Sequence, residues 1–313
     1  MRETLQKILG EVRKVIVGKD GVIEKVLMAA LAPGHVLLED VPGVGKTTMT
    51  LAFAKALGLE TRRIQFTSDT MPSDVAGFSS YDSRAEDFVY KPGAIMTNLL
   101  LADEINRTSS KTQSALLEAM EEGRVTVDGV TRELPAPFLV LATQNPAGSA
   151  GTQLLPPSQM DRFVIRTSIG YPDFQSQVSI LRDRRDGNPL DKVEPVLTRG
   201  QLLEIIETAG HVFVRDTVYE YITSLVEASR THPMVTLGLS PRGALALCRM
   251  TKAYALLAGR DYAAPEDAAA VFPDVAGHRL VLNAKARFNE LGSQGVTDEI
   301  LASVNMPVVR EIK

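Results

Sequence analysis

The chain has 313 residues, of which 44% are hydrophobic and 23% charged, with a formal net charge of −4 and a pI of about 5.7. These values are typical of a globular protein, and the length favours two domains. The acidic balance gives no overall support to nucleic acid as a partner, although a local basic patch is compatible with it. The single cysteine, Cys248, excludes an internal disulfide. The sequence shows no run of about 18 apolar residues and no signal-peptide core, so we expect no membrane insertion and a cytoplasmic location.

Strand and helix signals alternate along the first half of the chain. Apolar residues from Leu5 to Ile16 recur on one helical face, and a second helix is predicted over 20–32. Helical patterns at 46–57 and 110–122 then separate apolar strand candidates. These strands are predicted at 35–39, 62–66, 98–102, 138–143 and 163–168. Such alternation is typical of a parallel sheet covered by helices.

From about residue 174 the strand signals stop and helical patterns follow one another. Ser240-Pro241 is a helix start signal, an N-cap followed by proline at the first helical position. The predicted helices are 174–185, 199–209, 215–230, 241–257 and 265–271. We therefore predict an α/β domain over 1–172 and a helical domain over 173–313.

The strand predicted at 35–39 runs into a glycine-rich loop whose sequence is Asp40-Val41-Pro42-Gly43-Val44-Gly45-Lys46-Thr47. A strand followed by such a loop and a helix is typical of a phosphate-binding loop. Gly43 and Gly45 let backbone N–H groups face phosphate oxygens, and the helix directs its positive end at the same group. Lys46 supplies a positive charge to the β- and γ-phosphates, and the Thr47 hydroxyl suits Mg²⁺. Asp40 stands where the usual pattern has its first glycine.

The strand predicted at 98–102 ends in two carboxylates, Asp103 and Glu104. The carboxyl end of a buried parallel strand reaches the ligand crevice of such a sheet. Asp103 is then placed to hold Mg²⁺, directly or through water. Glu104 is placed to polarise a water for attack on the γ-phosphate.

Two stretches exceed a minimal α/β core. Residues 78–94 hold aromatic and polar side chains, and 124–134 alternate around Asp128-Gly129, which is typical of a two-residue hairpin turn. Hairpins that protrude from the core are candidates for contact with a substrate. A surface hairpin without a role is the alternative.

Together these motifs resemble the MoxR family of AAA+ ATPases, in the helix-2-insert clade that includes magnesium-chelatase-like motors. The resemblance runs in order over nearly the whole chain, at 39–47, 103–107, 111–122, 142–146, 155–163 and 239–242. It implies an α/β AAA+ core with a five-stranded parallel sheet and a C-terminal all-α lid. In this pattern 78–94 is the helix-2 insert and 124–134 is the hairpin before the fourth strand.

The resemblance also implies roles for polar residues outside the loop. Asn145 resembles the sensor-1 residue that orients the attacking water. Arg162 resembles an arginine finger, supplied across a subunit boundary, and Arg242 resembles the sensor-2 residue of the lid, which contacts the γ-phosphate. For Arg107 two roles are equally compatible with the sequence: contact with the nucleotide of a neighbouring subunit, or a salt bridge at the subunit interface. The expected nucleotide contacts are Val17, Gly18, Pro42, Gly43, Val44, Gly45, Lys46, Thr47 and Thr48.

The family pattern implies hydrolysis of ATP with Mg²⁺ at the subunit interfaces of a ring, expected to be a hexamer. It further implies a chaperone-like action on a protein client, often with a partner that carries a von Willebrand factor A domain, in metal insertion or complex maturation. Two alternatives remain. A nucleic-acid motor of the same clade shares the ATPase motifs, but the hairpin at 124–134 carries acids beside its arginines. A nucleotide-dependent scaffold without hydrolysis is disfavoured by Glu104, Asn145 and Arg162 together.

Overall fold

The computed structural model describes residues 1–41, 43–144, 155–183, 185 and 187–307. Its central sheet consists of β1 (His35–Glu39), β2 (Thr61–Gln65), β5 (Leu99–Asp103), β8 (Leu139–Gln144) and β9 (Phe163–Thr167). The strands are parallel and lie in the order β2-β5-β8-β1-β9. Each agrees with the predicted strand to within one residue at either end.

Both faces of the sheet are buried, which explains the nearly continuous apolar runs of its central strands. Val36 and Leu38 belong to one hydrophobic cluster and Leu37 to a second, because successive side chains of a strand point to opposite faces. The helices of this half are α1 (Arg2–Arg13), α2 (Asp20–Leu31), α3 (Lys46–Ala56), α4 (Pro72–Ala76), α5 (Ser110–Glu122) and α6 (Pro157–Met160). The first three contribute to one cluster, and α5 contributes to the other.

Two hairpins extend this core. Strands β3 (Gly77–Asp82) and β4 (Asp87–Pro92) form the first, and β6 (Arg124–Val127) and β7 (Val130–Glu133) form the second. The second confirms the predicted turn, where Asp128 and Gly129 have φ of 52° and 76°. The Arg132 guanidinium lies 4.0 Å from the Tyr90 ring centroid. This cation–π contact joins the two hairpins.

The C-terminal region is mainly helical. Its helices are α7 (Phe174–Asp183), α8 (Arg199–Gly210), α9 (Asp216–Thr231), α10 (Pro241–Leu257), α11 (Pro265–Ala276), α12 (Ala284–Phe288) and α13 (Ser293–Ser303). The expectation that strands stop near 174 is wrong in detail, since β10 (Val235–Leu237) and β11 (Val281–Leu282) form an antiparallel pair. These strands are too short to show alternation, and their pairing depends on contacts between distant residues. Helix α11 continues past the predicted end at 271, because Phe272, Val275 and Ala276 are buried.

The helical region packs closely on the α/β region. One hydrophobic cluster includes Leu27 of α2, Ile165 of β9, Leu247 of α10 and Val275 of α11. The division near residue 172 therefore remains a prediction from the change of strand to helix signals, because the packing is continuous across it. In the part of the chain that the structure describes, no helix has the length and apolarity that crossing a membrane requires.

Candidate active site

The phosphate loop turns through two glycines in the left-handed region. Gly43 has φ of 87° and Gly45 has φ of 96°, values that L side chains rarely adopt. Gly45 is the N-cap of α3, so the helix begins at Lys46 and its free N–H groups face the loop. The Lys46 ammonium donates to the Asp40 carbonyl oxygen at 3.1 Å. Pro42, another expected contact, lies outside the described residues.

Asp40 connects the phosphate loop to the end of β9. Its buried carboxylate accepts hydrogen bonds from Ser168 Oγ at 2.8 Å, Ile169 N at 2.6 Å and Gly170 N at 3.0 Å. The substitution of aspartate for the usual glycine was visible in the sequence, but its partners lie far along the chain. The connection that Asp40 makes to the segment after β9 is therefore a feature that sequence reasoning missed.

A cavity of about 360 Å³ lies beside the loop. Its lining includes the expected contacts Val17, Gly43, Val44, Gly45 and Thr48, together with residues 169–172, which lie between β9 and α7. Gly18 is not part of this lining. Its φ is 71° and a Cβ there would collide with Ser176 Oγ, so this glycine permits close packing of the chain against α7.

The two acids at the end of β5 are already engaged. Asp103 accepts from Thr143 Oγ1 at 2.5 Å and pairs with Arg63 at 2.8 Å. Glu104 pairs with Arg107 Nη1 at 2.9 Å and accepts from Gln65 Nε2 at 3.0 Å. Arg107 thus forms an ion pair within its own chain, which neither of the two predicted roles described.

Thr143 and the backbone hold Glu104 in an unusual conformation. Glu104 has φ of 58°, in a region that costs free energy for residues other than glycine. Its N–H donates to Thr143 Oγ1 at 2.8 Å, and the same hydroxyl donates to Asp103. Thr143 and Gln65 were not singled out as site residues. Asn145, the expected sensor 1, lies outside the described residues.

The oxygen ligands at this edge suit Mg²⁺. Thr47 and Asp103 offer a hydroxyl and a carboxylate, the hard donors that this ion prefers. Among the described residues no group of three or more His, Cys, Asp or Glu side chains is arranged to hold a metal ion. Mg²⁺ is usually bound through few carboxylates plus substrate phosphates and water, so this donor set fits it.

Arg162 and Arg242 meet at one carboxylate. Arg162 donates to the Leu117 carbonyl at 2.6 Å and pairs with Glu121 at 3.0 Å. Arg242, in the first turn of α10, pairs with the same Glu121. A cation in the first turn opposes the helix dipole, and this position therefore favours an anionic partner such as Glu121. Both arginines line a cavity of about 190 Å³ with Arg249 and Arg279.

These arginines and the phosphate loop of the same chain lie at opposite ends of the strands of the sheet. Strands β1 and β9 are parallel with His35 opposite Phe163, so Arg162 lies where the strands begin. The loop follows Glu39, where β1 ends. The five residues of β1 span roughly 16 Å, which is the separation along the strand between the end that carries Arg162 and the end that carries the loop. We call Arg162, Arg242 and Glu121 the arginine edge, and 40–47 with Asp103 and Glu104 the phosphate edge.

His35 stabilises the arginine edge. Its Nε2 donates to the Met120 carbonyl at 3.0 Å and its Nδ1 accepts from Val140 N at 3.0 Å. The bond at Nδ1 requires the neutral ring, and burial lowers the pKa of His35 to about 4. Because Met120 precedes Glu121, His35 fixes the end of α5 that carries this carboxylate.

Comparisons with known proteins agree with this geometry. A model of the ATPase family associated with various cellular activities (AAA) matches residues 35–165, and a model of the AAA lid domain matches 227–302. Chaperone MoxR1 of Mycobacterium tuberculosis is 39% identical, over 99% of this chain and 84% of its own. The chain belongs to the MoxR family of AAA+ ATPases. It is therefore an ATPase, as the sequence motifs predicted.

Other relatives of this MoxR-family ATPase support the assignment. Protein YeaC of Bacillus subtilis is 46% identical over 99% of this chain and 98% of its own. The crystal structure of a candidate ATPase from Cytophaga hutchinsonii has a TM-score of 0.92 at 37% identity, covering 98% of this chain and 96% of the other. The predicted family and the predicted fold class are confirmed. An MCM homologue from Methanopyrus kandleri, at TM-score 0.61 and 19% identity, covers 98% of this chain and 61% of its own and shares the fold alone.

Proposed function

We propose that this MoxR-family ATPase works as a ring, most simply a hexamer, with each ATP and its Mg²⁺ bound between two subunits. The separation of the two edges carries this proposal. One chain places its phosphate loop and its arginines at opposite ends of a parallel sheet, roughly 16 Å apart. A complete site then needs the phosphate edge of one subunit and the arginine edge of the next.

On the phosphate edge, the loop amides and Lys46 would hold the phosphates. Thr47 and Asp103 would hold Mg²⁺, which supplies positive charge to the phosphate oxygens. Glu104 accepts the proton of the attacking water, for which its carboxylate must be released from Arg107 and Gln65. Asn145 would orient that water. The products are ADP and phosphate.

On the arginine edge, Arg162 and Arg242 stabilise the charge on the transferring phosphoryl group of the neighbour's ATP. In the single chain the Glu121 carboxylate pairs with both guanidinium groups and offsets one of their two positive charges. A phosphate presents oxygens with the same chemistry, so the arginines can exchange the carboxylate for the nucleotide without a change in the kind of bond. Contact with a neighbour's nucleotide would thus couple ring assembly to hydrolysis.

Mixing of two inactive variants tests the shared site. Arg162→Ala and Glu104→Gln rings are each expected to hydrolyse ATP poorly. Mixed rings should regain activity, because some interfaces join an intact Glu104 to a neighbour's intact Arg162. Arg162→Ala mixed with Arg242→Ala is the matched control and should not recover, since both changes damage the same edge. Absence of recovery from rings shown to contain both variants would contradict a shared site, as would a fully active monomer.

For the client we propose a protein, which the ring remodels through its hairpins. Phe78, Tyr81 and Phe88 of the first hairpin are exposed at 51%, 59% and 69%. The rings of Tyr81 and Phe88 pack edge to face with centroids 5.7 Å apart. Exposed aromatic side chains of this kind suit apolar segments of a protein. The same hairpin carries acids as well as bases, so it lacks the positive charge that nucleic-acid phosphates require.

The cellular setting is proposed from the family alone. The relative named Chaperone MoxR1 supports an action on other proteins. The role that we propose is the maturation of protein complexes, including metal insertion, in the cytoplasm. A partner with a von Willebrand factor A domain fits this role. We expect that removal of most of the hairpin at 124–134 leaves basal ATP hydrolysis intact and abolishes work on the client, provided that rings still form. Strong, salt-sensitive stimulation of the wild-type ATPase by DNA would instead favour the nucleic-acid motor.

A further inference from the structure

Arg279 is a buried cation of the helical region that reaches into the α/β region. Its side chain is 2% exposed, and its Nε donates to Asp161 Oδ1 at 2.7 Å. Nη2 donates to the carbonyls of Asp161 at 3.1 Å and Phe163 at 2.6 Å. Nη1 donates to the carbonyls of Val164 at 3.1 Å and Val275 at 2.5 Å. These partners account for all the N–H donors of a guanidinium group.

Such a site is costly to build for packing alone. Burial lowers the pKa of Arg279, and the charge of Asp161 opposes that shift. A buried ion pair seldom adds more stability than well-packed apolar residues of similar volume. What the forked guanidinium adds is directional: it fixes the backbone positions of the carbonyls that it binds. The segment it fixes contains Arg162.

The same junction also holds the start of α10. Asp161 Oδ2 accepts from Ser240 Oγ at 2.7 Å, and Ser240 is the N-cap of α10, accepting from Gly243 N at 3.1 Å. A Cβ on Gly243 would lie 3.0 Å from Cδ of Arg279, so the first helical turn rests on the arginine side chain. Arg242 belongs to that turn.

Two arginines from distant parts of the chain are thus fixed from both sides. At the backbone, Asp161 and Arg279 join the segment that carries Arg162 to the helix turn that carries Arg242. At the side chains, Glu121 binds both guanidinium groups. Rotation of the helical region against the start of β9 would break the hydrogen bonds of Arg279 and Ser240 to Asp161. It would also move Arg162 and Arg242 apart.

We propose that Arg279 is a positioning residue that, through Asp161 and Ser240, sets the spacing of Arg162 and Arg242. The two arginines then reach the neighbour's nucleotide as one preformed unit. This inference rests on the proposed shared site. It also implies that the helical region of a subunit moves together with its own arginine edge when the neighbouring nucleotide is bound or hydrolysed.

The first test is Arg279→Lys, which keeps the charge beside Asp161 and removes the forked donors. The expected result is a fall in kcat of about 10- to 100-fold, because a misplacement of about 1 Å can cost as much. The dissociation constant for ATP should stay unchanged, since the phosphate edge of the variant is intact. Arg260→Lys is the matched control. Arg260 forms a forked pair with Asp267 within the helical region, away from the site, and its variant should keep the wild-type kcat.

The second test asks on which edge the damage lies. Arg279→Lys mixed with Glu104→Gln should regain activity, and Arg279→Lys mixed with Arg162→Ala should not. A general structural defect would impair both edges and would change the ATP dissociation constant as well. If Arg279→Lys does not assemble, Ser240→Ala removes the hydrogen bond to Asp161 together with the N-cap bond of α10. It should show the same mixing pattern with a smaller loss of kcat, about 10-fold or less.

Several results would overturn the inference. They are a wild-type kcat in assembled Arg279→Lys or Ser240→Ala rings, an equal loss in Arg260→Lys, or recovery with Arg162→Ala instead of Glu104→Gln. If Arg162→Ala and Glu104→Gln themselves fail to complement, the shared site is wrong and this inference falls with it. If that pair complements and Arg279→Lys with Glu104→Gln does not, the positioning role alone is wrong.

Discussion

The phosphate edge and the arginine edge lie at opposite ends of one sheet and are built in different ways. The phosphate edge takes its loop, its lysine and its hydroxyl from consecutive residues, 40–47, and its two acids from the end of a single strand. The arginine edge joins Glu121, Arg162 and Arg242, which come from α5, the start of β9 and α10. A local motif can form its site as soon as the strand and helix form, whereas the arginine edge exists only after the helical region has packed.

Both edges pair their charges internally. Asp103 and Glu104 meet Arg63 and Arg107 on the phosphate edge. Arg162 and Arg242 share Glu121 on the other. In the proposed ring each pairing is exchanged when nucleotide and neighbour bind, so the free energy of binding would be a difference between two sets of ionic contacts. The following predictions test whether the two edges act separately.

The largest effect is expected on the arginine edge. Arg162→Ala should lower kcat about 1,000-fold or more, because an arginine finger acts on the charge that develops during phosphoryl transfer. The ATP dissociation constant of the same chain should change little, since its phosphate edge is intact. Turnover assays and binding of a fluorescent nucleotide measure the two quantities. A variant that loses ATP binding would mean that Arg162 serves its own chain.

A pair of changes on the phosphate edge separates binding from chemistry. Lys46→Ala should lose nucleotide affinity, because the ammonium group meets phosphate charge. Glu104→Gln should bind ATP and lose turnover by about 100-fold or more, the usual contribution of a general base. Wild-type turnover in Glu104→Gln would refute the assignment of Glu104.

Asp40→Gly restores the usual loop sequence and should nevertheless lower the stability of the folded protein. It leaves the N–H groups of Ile169 and Gly170 without their acceptor. Each buried donor without a partner costs about 1–3 kcal/mol of stability. We expect a melting temperature lower by several degrees and a higher KM for ATP. Asp40→Asn, which keeps an acceptor oxygen, should lose less. Equal stability of Asp40→Gly and the wild type would show that the connection to β9 contributes nothing.

The smallest effect concerns pH and His35. Its folded pKa, about 4, is lower than the unfolded value, so the unfolded chain binds more protons between pH 4 and about 6.5. The free energy of unfolding should therefore fall as the pH drops through this window, by about 2 kcal/mol between pH 7 and 5. Above the window the contribution is constant.

The check is urea unfolding of the wild type and of His35→Gln at pH 7, 6 and 5. The variant should be less stable at pH 7 and should show a weaker dependence on pH. Part of the slope should remain, because burial also lowers the pKa of His278. Identical slopes would indicate that His35 does not titrate with folding.

Much of the fold was predictable because its signals are local. The helix predicted at 110–122 matches α5, which Ser109 caps at its start and Gly123, with φ of 64°, at its end. The hairpin turn at 128–129 needs positive φ, which Asp-Gly readily adopts. The strands of the sheet were recognisable because burial on both faces requires continuous apolar runs. By contrast, β10 and β11 carry too few residues for any pattern.

The sequence by itself determined the phosphate loop, the two acids after β5 and the order of strands and helices. In each case the physical cause, a positive φ, a helix start or a buried strand, acts between neighbours in the chain. Tertiary structure alone decided what Asp40 binds, that Arg162 and Arg242 share Glu121, and that Arg279 holds the segments that carry them. These contacts join residues far apart in sequence, and their free energy comes from burial and forked hydrogen bonds that exist only when the sheet and the helical region have packed together.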